Sequence, residues 1–202
     1  MKKLELTGKK VAMLVTDGFE QVEMTEPRKA LEAAGAAVEI VSPKSGRVKG
    51  WQTTDWGDEF EVDVALSAAD VGEYDALVLP GGVMNPDKLR TMPVARAFVR
   101  AFFDQHKPVA AICHGPWTLV DAGVAQGRRM TSWPSLQTDL KNAGATWVDE
   151  EVVVDGTLVT SRKPDDLPAF NRETIALVAR GAGGATQAKS TKNGHRASAS
   201  HR

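Results

Sequence analysis

Three short segments hold residue types that together could do covalent chemistry. Cys113 is the chain's one cysteine, and it stands in Ile112-Cys113-His114-Gly115-Pro116, between an apolar run and a helix-forming stretch. That is the layout of a nucleophile elbow, a tight strand-to-helix turn that presents a side chain above a sheet. Amides at the start of the following helix favour an anion there and are expected to lower the thiol pKa from its free value of ~8.5. A thiolate is the form that attacks electrophiles and is oxidised. A free cysteine is also a common small core residue, but filler belongs inside strands or helices, whereas Cys113 is expected at an exposed turn.

A nucleophile is usually served by a base, most often histidine. His195 and His201 lie near the C-terminus, and His106 precedes the strand that leads to Cys113, which puts it at the far end of the sheet. His114 is left, either as the base or as an orienting hydrogen-bond partner, because neighbouring residues often point apart. Glu20 and Glu23 are three apart and share a face if the chain there has entered a helix. A desolvated carboxyl beside a thiol stays protonated and donates a hydrogen bond; a glutamate at a helix start also serves simply as a dipole partner. Gly81 and Gly82 offer backbone amides without side-chain bulk, which suits an oxyanion hole and equally suits an ordinary turn.

The elements that must position these residues follow from the hydrophobic pattern. Val11–Val15, Val38–Val41, Ala76–Leu79 and Pro108–Ile112 are short continuous apolar runs, read as strands buried on both faces. Helical stretches are expected at Pro27–Ala34 with Gly35 as the stop, and at Val94–Phe103, Pro116–Ala122, Leu136–Ala143 and Asp165–Arg180. Glu151–Val154 and Leu158–Thr160 flank a hairpin signal at Asp155-Gly156. Strands alternating with helices predict an α/β domain, a mostly parallel sheet with helices on both faces. In such sheets ligands bind beyond the carboxyl ends of the strands, so the loops after the first, third and fourth runs should meet on one edge. Lys44–Glu61 is the least regular part, and its Trp51 and Trp56 either wall a pocket or interface or pack a loop onto the body.

Composition narrows the function classes. The 202 residues carry 25 Lys and Arg against 26 Asp and Glu. Residues 1–180 are expected to form one domain, and 181–202 a disordered basic tail whose hydrophobic residues are all alanines. Four of the basic residues sit in that tail, so the body carries 21 basic and 26 acidic residues, a charge of −5. This argues against nucleic-acid binding. No apolar run reaches the ~20 residues of a membrane span, and the N-terminus lacks a signal-type apolar region, which points to the cytoplasm. Neither metal-ligand spacing nor a dinucleotide fingerprint is present, so no metal and no cofactor are expected.

Taken in order, Asp17-Gly18-Phe19-Glu20-Gln21-Val22-Glu23, Leu77-Val78-Leu79-Pro80-Gly81-Gly82, Ala111-Ile112-Cys113-His114-Gly115-Pro116, Glu151-Val152-Val153-Val154-Asp155-Gly156 and Thr160–Leu167 resemble the PfpI intracellular-protease family of the DJ-one/PfpI superfamily. The resemblance covers nearly all of 8–180 and implies a three-layer, flavodoxin-like sandwich, of the class I glutamine amidotransferase-like type, that self-associates as a dimer or hexamer. It implies Cys113 as nucleophile, Glu23 hydrogen-bonded to the thiol, and an anion hole from the amides of Gly82 and His114. In protease-like members an acidic residue just after the double glycine completes a Cys-His-acid triad across a subunit interface, and Asp87 is the matching position. Glutaminase chemistry is disfavoured, since no histidine lies between His114 and the tail. The activities implied are conversion of methylglyoxal or removal of early glycation adducts, with a small carbonyl as substrate. The alternatives are a cysteine peptidase acting on peptides and a non-enzymatic oxidative-stress sensor built on the same thiol.

Overall fold

The computed structural model describes residues 5–181, so all but the first residue of the tail expected at 181–202 lies outside the described residues. In chain order the elements are β1 (Lys10–Leu14), β2 (Phe19–Glu20), α1 (Gln21–Ala33), β3 (Ala37–Ser42), β4 (Arg47–Gln52), β5 (Asp55–Glu61), β6 (Val64–Ala65), β7 (Ala76–Leu79), α2 (Met84–Thr91), α3 (Pro93–Asp104), β8 (Val109–Ile112) and α4 (Pro116–Asp121). After these come β9 (Arg129–Met130), α5 (Gln137–Asn142), β10 (Thr146–Trp147), β11 (Val152–Asp155), β12 (Leu158–Ser161) and α6 (Leu167–Arg180).

Seven strands form the central sheet in the order β11-β12-β8-β7-β1-β3-β6. Only the β11–β12 pair is antiparallel; every other pairing is parallel. The inner strands read as unbroken apolar runs because both faces are covered. The two faces separate by the strand's two-residue period. Ala12, Leu14, Leu77 and Leu79 join a core with Phe98, Val99, Phe102 and Leu119, under α3 and α4. Val11, Met13, Val78 and Ile112 join Met24, Leu31, Phe170 and Leu177, under α1 and α6. The result is the three-layer α/β sandwich expected. In α3 the buried residues Ala95, Phe98, Val99, Phe102 and Phe103 fall at helical spacing, a stripe that faces the sheet. No helix of the described residues is long and apolar enough to cross a membrane.

Two local expectations need correcting. The first helix begins at Gln21, six residues before Pro27, which lies inside it. Proline there removes one helical hydrogen bond, yet Pro27 and Met24 are buried against the body and packing outweighs the lost bond. Lys44–Glu61 is not an irregular stretch but the antiparallel β4–β5 hairpin, with Gln52 opposite Asp55. Its turn places Thr53 at φ +56°, which no Asn-Gly or Asp-Gly signal announces. The hairpin is held at its base by Asp17, whose carboxylate accepts from the Lys49 amide at 2.8 Å and pairs with the Lys44 ammonium at 2.8 Å. In addition β4 pairs in parallel with β2, setting Trp51 beside Glu20.

Candidate active site

The parallel strands β1, β7 and β8 do release their loops on one edge of the sheet, and the candidate residues meet there. Cys113 directly follows β8. Its amide donates to the Ser161 carbonyl at 3.1 Å, and the Gly115 amide donates back to the Ile112 carbonyl at 2.8 Å, so the chain turns tightly around it. Cys113 takes the left-handed conformation, φ +60°, rare for a residue with a side chain and costing of order 1–3 kcal/mol. That backbone swings His114 alongside its neighbour: the His114 Nδ1 is 3.3 Å from the Cys113 Sγ. Adjacent residues point apart in ordinary strand or helix geometry, and the elbow removes that obstacle. Contrary to the expectation of an exposed turn, Cys113 is only 7% exposed, since the loops from β1 and β7 close over it.

Glu23 lies in the first turn of α1 and is fully buried. Its Oε2 accepts the Gly81 amide at 2.9 Å. The thiol and the Gly82 amide are its other polar neighbours, and its Oε1 is buried without a hydrogen-bond partner. Burial pushes the Glu23 carboxyl up to about 8, the Gly81 amide only partly opposing this, so the group is protonated at neutral pH. Burial also pushes the Cys113 thiol up, and an ionised Glu23 would add to this, while the Gly82 and His114 amides pull it down. The expected lowering of the thiol pKa by helix-start amides is therefore outweighed by desolvation. Once Glu23 is protonated its repulsion is gone, and the same carboxyl can donate to a thiolate.

Glycine is required in the β7 loop for a steric reason. A Cβ on Gly81 would sit 2.5 Å from the Glu23 Oε2 and 2.6 Å from the Cys113 Cβ. Gly82 adopts φ +75°, and a Cβ there would lie 2.6 Å from the Glu20 nitrogen and the Gly18 carbonyl oxygen. Because Gly81 commits its amide to Glu23, the amides next to the sulfur are those of Gly82 and His114. Asn85, fully buried in α2, braces this loop. Its Oδ1 accepts the Thr16 amide at 2.8 Å and its Nδ2 donates to the Pro80 carbonyl at 3.0 Å, tying the ends of β1 and β7 together.

A cavity of about 840 Å³ opens onto Cys113 and His114. Glu20 and Glu23 line it, and Trp51, Trp56, Trp133 and Met84 make much of its wall. The two hairpin tryptophans thus face the pocket. Glu20 is partly exposed, and its Oε1 accepts the Thr53 amide at 3.4 Å; burial raises its pKa, and that amide opposes the rise. The His114 ring stacks on Trp133 with centroids 5.8 Å apart and meets Trp117 edge-on at 5.3 Å. Burial lowers its pKa, which keeps the imidazole neutral at pH 7. Its Nε2 lies 3.4 Å from the Ser135 Oγ. Asp87 is not brought to this group: it is exposed in the first turn of α2 and does not line the cavity. Asn85, Trp133 and Ser135 escape a sequence reading because none sits in a chemical motif. Trp133 is tied to the elbow through its amide, which donates to the Cys113 carbonyl 2.9 Å away and 20 positions earlier.

Comparison with known proteins finds relatives along nearly the whole described length. General stress protein 18 of Bacillus subtilis is 46% identical over 173 residues, covering 85% of this chain and 98% of that protein. Protein/nucleic acid deglycase 2 of Escherichia coli is 45% identical over 174 residues, covering 85% and 98%. The crystal structure of Drosophila melanogaster DJ-1beta superposes with a TM-score of 0.74 at 28% identity, covering 85% of this chain and 96% of that one. The model of the DJ-1/PfpI family matches residues 9–177. That match over most of the chain, together with relatives this similar over nearly their whole length, makes the chain a member of the DJ-1/PfpI family.

Proposed function

We propose that the chain is a cysteine-dependent stress-response enzyme of the cytosol that acts on reactive carbonyls, converting methylglyoxal to lactate or removing early glycation adducts. The observation that carries this reading is a buried carboxyl, Glu23, held protonated at neutral pH beside an elbow thiol that touches a neutral imidazole. The names of the similar stress protein and deglycase support it.

The chemistry needs no outside oxidant. With its proton on Nε2, where Ser135 can accept it, His114 has a free lone pair on Nδ1 for the thiol proton. The Cys113 sulfur then bonds to the aldehyde carbon of methylglyoxal. The carbonyl π pair moves onto oxygen, where the Gly82 and His114 amides and the protonated Glu23 receive it. His114 passes the thiol proton to that oxygen, giving a hemithioacetal, and is again free as a base. It removes the hydrogen left on the attacked carbon as a proton; that electron pair forms the carbon–carbon double bond, and the neighbouring carbonyl oxygen takes the Glu23 proton, giving an enediol. As His114 returns its proton to the second carbon, the hydroxyl on the first carbon gives its proton back to Glu23 and becomes the carbonyl of a lactoyl thioester on Cys113. Water cleaves the thioester, releasing lactate and the thiol, so the balance is methylglyoxal plus water to lactate.

A peptidase reading has one observation in its favour, the 3.3 Å thiol–imidazole contact, which is the pair acyl transfer uses. Asp87 does not reach His114 within one chain, so a Cys-His-Asp triad requires a second subunit. The test is methylglyoxal consumption with lactate detection, in chelator and without glutathione, for wild type and Cys113→Ala. Lactate from the wild type alone supports the proposal. No lactate from the folded wild type overturns it, and casein hydrolysis sensitive to both Cys113→Ala and Asp87→Ala would put the peptidase in its place.

A further inference from the structure

One short segment of the same chain grips the His114 imidazole on the side away from the thiol. It runs from Trp133 through a single three-ten turn, Pro134–Leu136, into α5. Trp133 stacks on the imidazole, the two planes 24° apart. Two residues on, the Ser135 Oγ lies 3.4 Å from the His114 Nε2. Four residues further, Asp139 accepts the Trp117 indole N–H at 2.7 Å, and Trp117 meets the imidazole edge-on. The Arg90 guanidinium of α2 lies 5.0 Å from the Trp117 ring centroid and pairs with Asp121 at 2.7 Å, so that indole is fixed from two elements. Because the Trp133 amide is bonded to the Cys113 carbonyl, this clamp is built onto the elbow itself.

The clamp presents a hydroxyl where an acid would be expected. Asp139, the acid of this segment, is engaged by the Trp117 indole. The other ionisable groups around the ring are the Cys113 thiol at Nδ1, the protonated Glu23 and the Glu20 carboxylate in the cavity wall, and Arg90 beyond Trp117. Among the described residues, Ser135 alone meets Nε2 at hydrogen-bond distance. A hydroxyl accepts the Nε2 proton without bringing a charge, so it selects the tautomer whose Nδ1 lone pair faces the sulfur and does not favour the imidazolium. A carboxylate in its place would favour the imidazolium and draw the pair toward a thiolate–imidazolium ion pair. An imidazolium has no lone pair with which to take a proton from carbon, whereas the enediol route asks His114 to do that and to return it. We infer that Ser135 is the positioning residue of His114, fixing its Nε2-protonated tautomer from within one chain, so that the base needs no acid from a second subunit. This deepens the carbonyl-enzyme reading and rests on it for the role of His114 as base.

The tautomer is read by long-range proton–nitrogen correlation NMR on the isotope-labelled full chain, with the His114 signals identified by their loss in His114→Gln. The wild type should show a protonated Nε2 and a bare Nδ1 at neutral pH. Ser135→Ala should give the averaged signals of two tautomers, and Ser135→Thr should restore the single one. Ser135→Asp should raise the imidazole pKa by about one or more, as a carboxylate at hydrogen-bond distance does, and increase the thiolate absorbance of Cys113 at neutral pH. Mixed tautomers in the wild type, or a pattern that Ser135→Ala leaves unchanged, would overturn the inference. So would a tautomer shift in Asp87→Asn, because an acid from a second subunit would then be holding the ring.

Lactate formation reads the same residue through rate. Ser135→Ala should lower kcat about fivefold with KM little changed, the fold-change carried by one neutral hydrogen bond, and Ser135→Thr should recover most of the loss. A kcat in Ser135→Ala equal to that of the wild type would overturn the positioning role. A single tautomer that Ser135→Ala abolishes, without lactate formation by the wild type, would leave that role standing and remove the carbonyl-enzyme reading. Lactate formation by the wild type, with tautomer and kcat both unmoved in Ser135→Ala, would do the reverse.

Discussion

Replacing Glu23 by glutamine tests the electrostatic centre of the site, and the structure sets the size of the effect. Glu23 has a folded pKa of about 8 against an ordinary 4.5, raised by burial. The sign follows from proton binding: between these two values the native state holds a proton that the unfolded chain has released. Stability is therefore fully present below pH 4.5 and is lost as pH rises toward 8. The full span is worth about 5 kcal/mol at about 1.36 kcal/mol per pH unit, of which about 4 kcal/mol falls between pH 5 and 9. Glutamine keeps an oxygen for the Gly81 amide and a donor for the sulfur, but it does not titrate. Urea unfolding of both proteins at pH 5, 7 and 9 isolates the carboxyl's contribution, because the other groups cancel in the difference. Glu23→Gln should gain on wild type by about 4 kcal/mol across that range, while losing lactate formation because an amide carries no transferable proton. Parallel pH profiles would refute the reasoning, since Glu23 would then not be a buried, protonated carboxyl.

The scaffold residues make separate predictions. Asn85→Ala leaves the Thr16 amide and the Pro80 carbonyl without their buried partner; thermal unfolding should show a loss of about 2 kcal/mol, or about 4–8 °C in a chain of this size. Gly82→Ala forces a Cβ to within 2.6 Å of two backbone atoms at φ +75°. It should cost about 2–3 kcal/mol in urea and slow Cys113 alkylation, because the anion-binding amide moves with the loop. An alanine variant at Gly82 that alkylates at the wild-type rate would show that this amide does not serve the thiolate.

Much of this protein is written locally. Apolar runs such as Ala76–Leu79 and Pro108–Ile112 can only be strands buried on both faces, and that alone leads to a parallel sheet with its loops on one edge. Cys113 between such a run and Gly115-Pro116 is legible for the same reason. The β4–β5 hairpin is not, because its residues are mostly polar and its turn uses a threonine at φ +56°, a conformation offset by pairing with β2 rather than by turn chemistry. Nor is the true start of α1, where burial of Pro27 overrides the rule that proline opens a helix. The chemistry of the site is decided further still from the local chain. Glu23 and Cys113 are 90 residues apart, and their closeness depends on two glycines in a third loop that have no side chain to separate them. Which amide faces the sulfur follows from Gly81 committing its own to Glu23. Residue types and their periods set which elements form, since those preferences act over a few bonds; proton affinities and contact distances belong to the packed whole, because desolvation and steric approach are properties of everything that surrounds a group.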